Sequence, residues 1–187
     1  NPQTVLELGV GDGRFAKAYL TKNPHCLYTG VDNSSIMLSY AKDIGATLIH
    51  SDMLSFCKYS QYAGKLYDAI IVPYTAIHHL NYEDQLATFT FMKQLSSLIM
   101  INCLTETTEQ ALFKNTNETT LTFVLPSGTT LETRVYKLHE TIRKEMKRVN
   151  EGDNRETLEL ILKGLLLILN ITWYRSKFKK FFWCKET

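Results

Sequence analysis

The chain has 187 residues, of which 44% are apolar and 21% are charged. This composition excludes a disordered tail, a collagen-like fibre and a disulfide-stapled miniprotein, and the length suits one domain with a sizeable core. The formal net charge is +2, with 10 basic and 13 acidic side chains in residues 1–140 and 11 basic and 6 acidic side chains in residues 141–187. The basic last quarter indicates an acidic partner or an ordinary solvated surface.

In the first hundred residues, short apolar runs alternate with helical patterns. The alternation predicts five strands, at residues 4–8, 27–31, 47–50, 67–72 and 98–103. Repeated strand and helix predict an α/β fold: a Rossmann-like, doubly wound, mostly parallel sheet with helices on both faces. Ligands bind such sheets at the carboxyl ends of the strands, where the strand order reverses.

Three helices are predicted between these strands. The first covers Arg14–Lys22. The second begins at a Ser34 or Ser35 cap and carries apolar residues at helical spacing, and the third begins at an Asn81 cap with acidic residues in its first turn. The apolar positions of the second helix are Met37, Tyr40, Ala41 and Ile44. The acidic positions of the third helix are Glu83 and Asp84.

Beyond residue 104 the pattern changes. Residues 119–125 and 130–138 flank Pro126-Ser-Gly128, which predicts a hairpin. A helix capped at Asp153 and two antiparallel closing strands, at 166–173 and 177–184, are expected after it. We expect one domain over residues 1–187, with a ligand-binding half at 1–104 and the remaining residues on the opposite side of the site.

The four cysteines are widely spaced and form no CxxC pair, which disfavours a zinc site or a redox motif. Four free thiols suit a reducing compartment, so we expect a cytoplasmic protein without a metal site. The longest apolar run, Leu165–Leu169, is too short to span a bilayer, so no membrane partner is expected.

The most informative stretch is Glu7-Leu-Gly9-Val-Gly11-Asp-Gly13, between the first strand and the first helix. Glycines there let the backbone turn tightly and approach a ligand, and the next helix offers its free N–H groups. The dinucleotide fingerprint GxGxxG would need a third glycine where Arg14 stands, which disfavours a nicotinamide-dependent dehydrogenase.

Three further motifs follow in order: Val31-Asp32-Asn33, Ser51-Asp52-Met53, and Pro73-Tyr74 leading to His78-His79. Together with the glycine loop, they resemble the motifs of class I S-adenosylmethionine-dependent methyltransferases. The resemblance covers residues 4 to about 103. Without it, Glu7 and Asp32 read as carboxylates at strand ends, Asp52 as a helix cap and Met53 as a core residue.

The resemblance implies S-adenosylmethionine as cofactor and assigns residues to each of its parts. Glu7 would hold the methionine amino group, Asp32 the ribose hydroxyls, and Asp52 with Met53 the adenine; Asn33 is a further cofactor-binding candidate. The glycines would line methionine and ribose, Pro73 and Tyr74 would border the methyl, and Arg14 could reach the carboxylate; the glycines are Gly9, Gly11 and Gly13.

His78 and His79 follow the fourth strand, so they are the candidate general bases, with Tyr74 beside them. The alternative is that one histidine packs and the other is solvated. The hairpin resembles the roof of small-molecule O- and N-methyltransferases, which favours a small-molecule acceptor. An RNA or protein acceptor held by the basic, aromatic run 173–183 and a non-catalytic scaffold domain remain as alternatives.

Overall fold

The computed structural model describes residues 2–114, 116–124 and 130–151. Strands and helices alternate along the first hundred residues and a hairpin follows. The elements are β1 Thr4–Leu8, α1 Arg14–Lys22, β2 Leu27–Asp32, α2 Ser35–Tyr40, β3 Thr47–His50, α3 Met53–Tyr62, β4 Ala69–Val72, a 3₁₀ turn Ala76–His79, α4 Tyr82–Leu95, β5 Ile99–Ile101, α5 Glu106–Phe113, β6 Glu118–Val124, β7 Thr130–Tyr136 and α6 Glu140–Glu151.

The first five strands form one parallel sheet in the order β3-β2-β1-β4-β5. The order reverses between β1 and β4, which lie side by side at its centre. The sixth and seventh strands form a separate antiparallel pair. The predicted α/β class, parallel sheet and hairpin are therefore confirmed.

Neighbouring residues of the central strands enter two different cores. Leu6 of β1 and Ile70 of β4 pack in one core, with side chains of α3, α4 and α6. Val5 and Ile71 pack in the other core, with side chains of α1 and α2. Because successive strand residues point to opposite faces, helices cover both faces of the sheet, as a doubly wound fold requires.

The second helix is shorter than its apolar spacing predicts. It begins at the expected Ser34 cap, whose side chain accepts the Met37 N–H, but it ends at Tyr40. The left-handed Asp43 and Gly45, at φ 64° and 82°, turn the chain before Ile44 can extend the helix. Of the predicted apolar stripe, Ala41 is buried and Ile44 packs against the core, whereas Met37 and Tyr40 are exposed. Leu38 is the buried residue within the helix itself.

Helices α3, α5 and α6 were not predicted from the sequence. The predicted strand limits differ from the observed ones by at most two residues. The hairpin turn at 126–128, the capping box at Asp153, the strands at 166–184 and Cys184 lie outside the described residues. Within the part that the structure describes, no helix has both the length and the hydropathy needed to cross a membrane.

Candidate functional site

The loop after β1 lies at the carboxyl ends of the central strands, where the strand order reverses. Gly9 and Val10 donate their N–H groups to the Val31 carbonyl of β2, at 2.8 and 3.0 Å. Gly13 donates to the Val10 carbonyl at 2.9 Å and is the N-cap of α1. The loop is therefore held by its own backbone and by β2, at the place where ligands bind in such sheets.

Gly9 is the tightest point of this loop. Its φ is +80°, and a Cβ built on it would lie 2.7 Å from the Ala76 Cβ and 3.1 Å from the Met53 Cε. The loop backbone therefore approaches both the segment after β4 and the start of α3. A side chain would fill this space, so glycine is required here for conformation and for room.

Asp32, at the end of β2, accepts two backbone hydrogen bonds. Its Oδ2 accepts the Gly11 N–H at 2.8 Å and its Oδ1 accepts the Ser34 N–H at 2.9 Å. A carboxylate offers about four lone-pair positions, so each oxygen keeps capacity for a further donor. Asp32 thus fixes the loop and remains able to bind hydroxyl groups.

Glu7, in β1, is 1% exposed. Its Oε2 accepts the Tyr28 hydroxyl at 2.7 Å, whereas its buried Oε1 has no hydrogen-bond partner within the described residues. The pKa of Glu7 is raised to about 8, chiefly by burial; the hydrogen bond from Tyr28 acts against this rise, and the nearby charges of Asp32 and Asp12 contribute to it. An oxygen left without a donor at this depth is costly unless a ligand supplies one.

Two methionine side chains lie against the glycine loop. The Met53 Cε faces Gly9, and the Met37 Cε lies 3.6 Å from the position that a Cβ on Gly11 would occupy. Met37 is 36% exposed and lies in α2, which packs on the opposite face of the sheet from α3. Flexible thioethers pack well against flat apolar groups. Met53 was predicted at this site, whereas Met37 was predicted only as part of an apolar helix stripe.

The remaining cofactor candidates lie around the loop with other partners. Arg14 forms an ion pair with Asp12 at 2.6 Å, and its side chain is 69% exposed. Asn33 is exposed, and its carbonyl contacts the His50 ring at 3.0 Å. Asp52 is the N-cap of α3, where its Oδ1 accepts the Ser55 N–H at 2.8 Å, so its helix-cap reading holds.

The chain turns sharply after β4. Pro73 is buried, whereas Tyr74 is 54% exposed. Tyr74 and Thr75 both adopt left-handed backbone conformations, at φ 52° and 60°. The Thr75 N–H donates to the Asn102 side-chain oxygen at 3.1 Å, beyond β5. Consecutive strained residues at a strand end are typical of functional sites, and here they lie at the carboxyl end of β4, where the Tyr74 side chain is exposed.

His78 is 1% exposed and uses both ring nitrogens. Its Nδ1 lies 2.7 Å from the Tyr136 carbonyl, and its Nε2 accepts the Leu104 N–H at 3.0 Å. Burial lowers the pKa of His78 to about 4, so the ring is neutral and Nδ1 carries the proton. This geometry leaves no nitrogen for an acceptor's proton and gives His78 a structural role instead of the expected catalytic one.

His79 is exposed, and its Nδ1 lies 3.4 Å from the Thr133 hydroxyl of β7. The hairpin thus stands beside the 3₁₀ turn that follows β4. Of the two histidines, His79 is the one whose ring remains accessible to a substrate.

Replacing His78 with phenylalanine is expected to lower the free energy of unfolding by about 1–3 kcal/mol, because the Tyr136 carbonyl and the Leu104 N–H lose their partner. The wild type should lose stability as pH falls from 6.5 towards 4, since the unfolded histidine binds a proton first, and the variant should lack this component. Denaturant unfolding at several pH values measures both effects. An equal loss in the exposed control His79→Phe would contradict the structural role.

Residues 5–97 match the protein family described as "Methyltransferase domain". The chain belongs to the class I methyltransferase family. The match spans β1 to α4, so it contains the glycine loop, Asp32, Asp52 and the turn after β4.

The chain is similar to several solved methyltransferase structures. The plantazolicin methyltransferase BpumL, solved with a monoazolic desmethylPZN analogue and SAH, has a TM-score of 0.51 and 21% identity over 61% of this chain and 44% of its own. The N-methyltransferase NodS from Bradyrhizobium japonicum has a TM-score of 0.48 and 13% identity over 74% and 87%. A SAM-dependent methyltransferase from Agrobacterium tumefaciens has 0.46 and 14% over 73% and 55%.

The chain spans less than half the length of the plantazolicin methyltransferase that it matches. A search of curated protein sequences gave no significant match. The comparisons therefore establish the family and the fold of the methyltransferase domain.

S-adenosylmethionine is the methyl donor of this family, and two features of the methyltransferase domain fit it. The buried Glu7 Oε1 lacks a donor, which an ammonium group supplies. Both Asp32 oxygens keep acceptor capacity beside the glycine loop, which the ribose hydroxyls can use. In residues 2–114, 116–124 and 130–151, no group of three or more metal-binding side chains comes together.

Sequence reasoning missed three residues of this site: Tyr28, Met37 and Asn102. Tyr28 bonds Glu7 from the neighbouring strand, 21 residues away, and Asn102 bonds Thr75 across 27 residues. Strand pairing sets these contacts, and one sequence does not reveal its register. For Met37, its place five residues after Asp32, at the start of a helix facing the loop, was an available signal.

Proposed function

We propose that the chain binds S-adenosylmethionine at the glycine loop and transfers its methyl group to an oxygen or nitrogen of a small-molecule acceptor. The observation that carries the proposal is Glu7: a buried carboxyl beside the loop, with one oxygen held by Tyr28 and the other without a donor. An ammonium group satisfies that oxygen, and the methionine part of the cofactor carries one.

The ribose is assigned to Asp32. Both of its oxygens are aimed by backbone N–H groups, from Gly11 and Ser34, and both keep a lone pair for a hydroxyl. Two adjacent hydroxyls suit the two oxygens of one carboxylate. Asn33, the next residue, lies at the same strand end.

The adenine is assigned to the apolar space between Met53 and Met37. Both thioether methyl groups approach the glycine loop, at Gly9 and at Gly11. Asp52 caps α3 through Oδ1, and its carboxylate is assigned to a polar group of the base. Gly13 lies at the N-terminus of α1, and the spacing of the three glycines also supports placing the cofactor against this loop.

The cofactor supplies an already activated methyl group, so the chain's part is to align donor and acceptor and to exclude water. Pro73 and Tyr74 border the transfer position in this proposal, at the turn after β4. His79 would take a proton from the acceptor, because its ring is accessible and lies beside the hairpin. Arg14, paired with Asp12, would keep a secondary role near the cofactor carboxylate.

A small-molecule acceptor is favoured because the hairpin β6–β7 stands beside His79, so the acceptor must fit next to the hairpin to reach this histidine. The basic run 173–183, on which an RNA or protein acceptor would depend, lies outside the described residues. Cys26 and Cys57 are buried free thiols, which supports the proposed cytoplasmic setting.

Calorimetric titration with S-adenosylmethionine, S-adenosylhomocysteine and NAD in parallel tests the cofactor. Binding of the first two and not of NAD supports the proposal, and binding of none would favour a scaffold domain. A screen with methyl-labelled cofactor against small molecules, RNA and protein then tests the acceptor. Label transferred only to RNA or protein would overturn the small-molecule assignment.

Replacing Asp32 with alanine is expected to weaken S-adenosylhomocysteine binding by about 1–3 kcal/mol, because the ribose hydroxyls lose their acceptor. Titration of the folded variant measures this change. Glu83→Ala, an exposed carboxylate in the first turn of α4, is the control and should bind like the wild type. Unchanged affinity in Asp32→Ala would remove the ribose assignment.

A further inference from the structure

Tyr28 has a position that the methyltransferase motifs do not explain. It lies in β2, opposite Val5 in the register of the two strands, and is 2% exposed. Its ring packs near that of Tyr19, with centroids 5.6 Å apart. Gly30 stands directly opposite Glu7, so the side chain that reaches Glu7 from this strand is that of Tyr28.

The contact between Tyr28 and Glu7 uses only one carboxyl oxygen. The phenol donates to Oε2 at 2.7 Å, and Oε1 is buried with no partner within the described residues. Burial raises the pKa of Tyr28, so the phenol keeps its proton and can donate it to Glu7. This hydrogen bond fixes the rotation of the carboxyl group and therefore the direction of its second oxygen.

The charges around Glu7 do not neutralise it. The titratable groups that face it are Tyr28 on β2, Asp32 at the end of β2 and Asp12 in the glycine loop, and none of them is a cation. The nearby Arg14 is already paired with Asp12. Without a ligand, a proton is therefore the cation that Glu7 can hold most readily.

We propose that Tyr28 is a positioning residue for the ligand's ammonium group: its phenol holds one Glu7 oxygen and leaves the other for the ammonium, which binds in exchange for the Glu7 proton. This inference rests on the proposed cofactor. The exchange is balanced: Glu7 loses one proton to solvent and becomes a carboxylate, and the ammonium keeps all three of its hydrogens. No covalent bond to carbon, nitrogen or sulfur changes.

The first test needs no ligand and compares stability against pH. The folded Glu7 binds its proton up to pH about 8, whereas the unfolded residue loses it near pH 4.5, so wild-type stability should fall as pH rises between these values. Glu7→Gln should lack this fall. Tyr28→Phe removes a hydrogen bond that favours the Glu7 carboxylate, so Glu7 should keep its proton to a higher pH in this variant. The stability of Tyr28→Phe, compared with that of Tyr28→Phe/Glu7→Gln, should therefore continue to fall above pH 8.

The second test counts the protons released when S-adenosylhomocysteine binds, by calorimetry in buffers of different ionisation enthalpy at pH 8. The wild type should release about half a proton, because Glu7 has a pKa of about 8. Tyr28→Phe should release nearly one proton and bind about three- to tenfold more weakly, since a tenfold change corresponds to one pKa unit. Glu7→Gln should release none.

Two controls separate positioning from packing. Tyr19→Phe removes the hydroxyl of the neighbouring ring in the same aromatic pair and should match the wild type in both tests. 5′-Methylthioadenosine, which lacks the amino-acid part, should bind the wild type without releasing a proton.

Equal proton release and equal stability profiles in Tyr28→Phe and the wild type would overturn the inference. Proton release with 5′-methylthioadenosine would overturn the assignment of the ammonium to Glu7. Failure of the wild type to bind S-adenosylhomocysteine would instead overturn the proposed function, and the stability comparison would still decide whether Tyr28 controls the Glu7 proton.

Discussion

Replacing Gly9 with alanine is expected to lower the free energy of unfolding by about 2–4 kcal/mol and to abolish measurable S-adenosylhomocysteine binding. The left-handed backbone at φ +80° costs an L-residue about 1–2 kcal/mol. The new Cβ would also lie 2.7 Å from the Ala76 Cβ, which has no rotamer by which to move away. Relief requires the backbone of the loop or of the 3₁₀ turn to shift, and both border the proposed site.

The strain and the clash can be measured separately by denaturant unfolding. Gly64→Ala is the matched control, because Gly64 has φ +65° and no atom lies within 4 Å of the added Cβ. It should show the backbone strain alone, about 1–2 kcal/mol. In the Gly9→Ala background, Ala76→Gly should restore part of the lost stability. A cost in Gly9→Ala no larger than that in Gly64→Ala would contradict the close approach.

This loop shows how far one sequence specifies a site. Glycines after a strand and before a helix have a local meaning, so their turn and its place at the carboxyl end of β1 could be predicted. Asp32 could be predicted as well, since it ends the next strand. The partner of Gly9 is Ala76, 67 residues later, and it follows from the pairing of β1 with β4. No pattern within a short window encodes that pairing.

The helices and strands show the same difference between local signals, which the sequence reveals, and long-range contacts, which it does not. Strands β1 and β3 and helix α1 have the predicted limits, because their apolar runs are local and have clear ends. Helix α6 was missed because its described apolar positions, Ile142 and Met146, are few among charged residues. His78 has the sequence pattern of a candidate base, and only its distant partners, Tyr136 and Leu104, reveal its structural role.

The same long-range bonding fixes the base of the hairpin. Backbone groups of residues 136–139 bond to three buried side chains: His78, Gln85 and Glu109. Gln85 donates to the Lys137 carbonyl at 3.1 Å and accepts the His139 N–H at 2.8 Å. The hairpin therefore stands at a set place beside His79 although its strands belong to a separate sheet.

Glu109 adds an ion pair to this attachment. It is 1% exposed, its Oε1 accepts the Leu138 N–H at 2.9 Å and its Oε2 accepts a hydrogen bond from Arg143 of α6. Burial raises the pKa of Glu109, against these hydrogen bonds and the charge of Arg143. One side chain of α5 thus links the end of the hairpin to α6.

Replacing Glu109 with alanine is expected to lower the free energy of unfolding by about 3–5 kcal/mol, because the change strands the Leu138 N–H and the buried side of Arg143. Glu106→Ala is the matched control: it faces the same arginine at 3.7 Å, but its side chain is 29% exposed, so the expected loss is below about 1 kcal/mol. Denaturant unfolding measures both. Equal losses of stability in the two variants would contradict the role of Glu109 in holding Arg143. His78 and Gln85 would then be the side chains that attach the base of the hairpin.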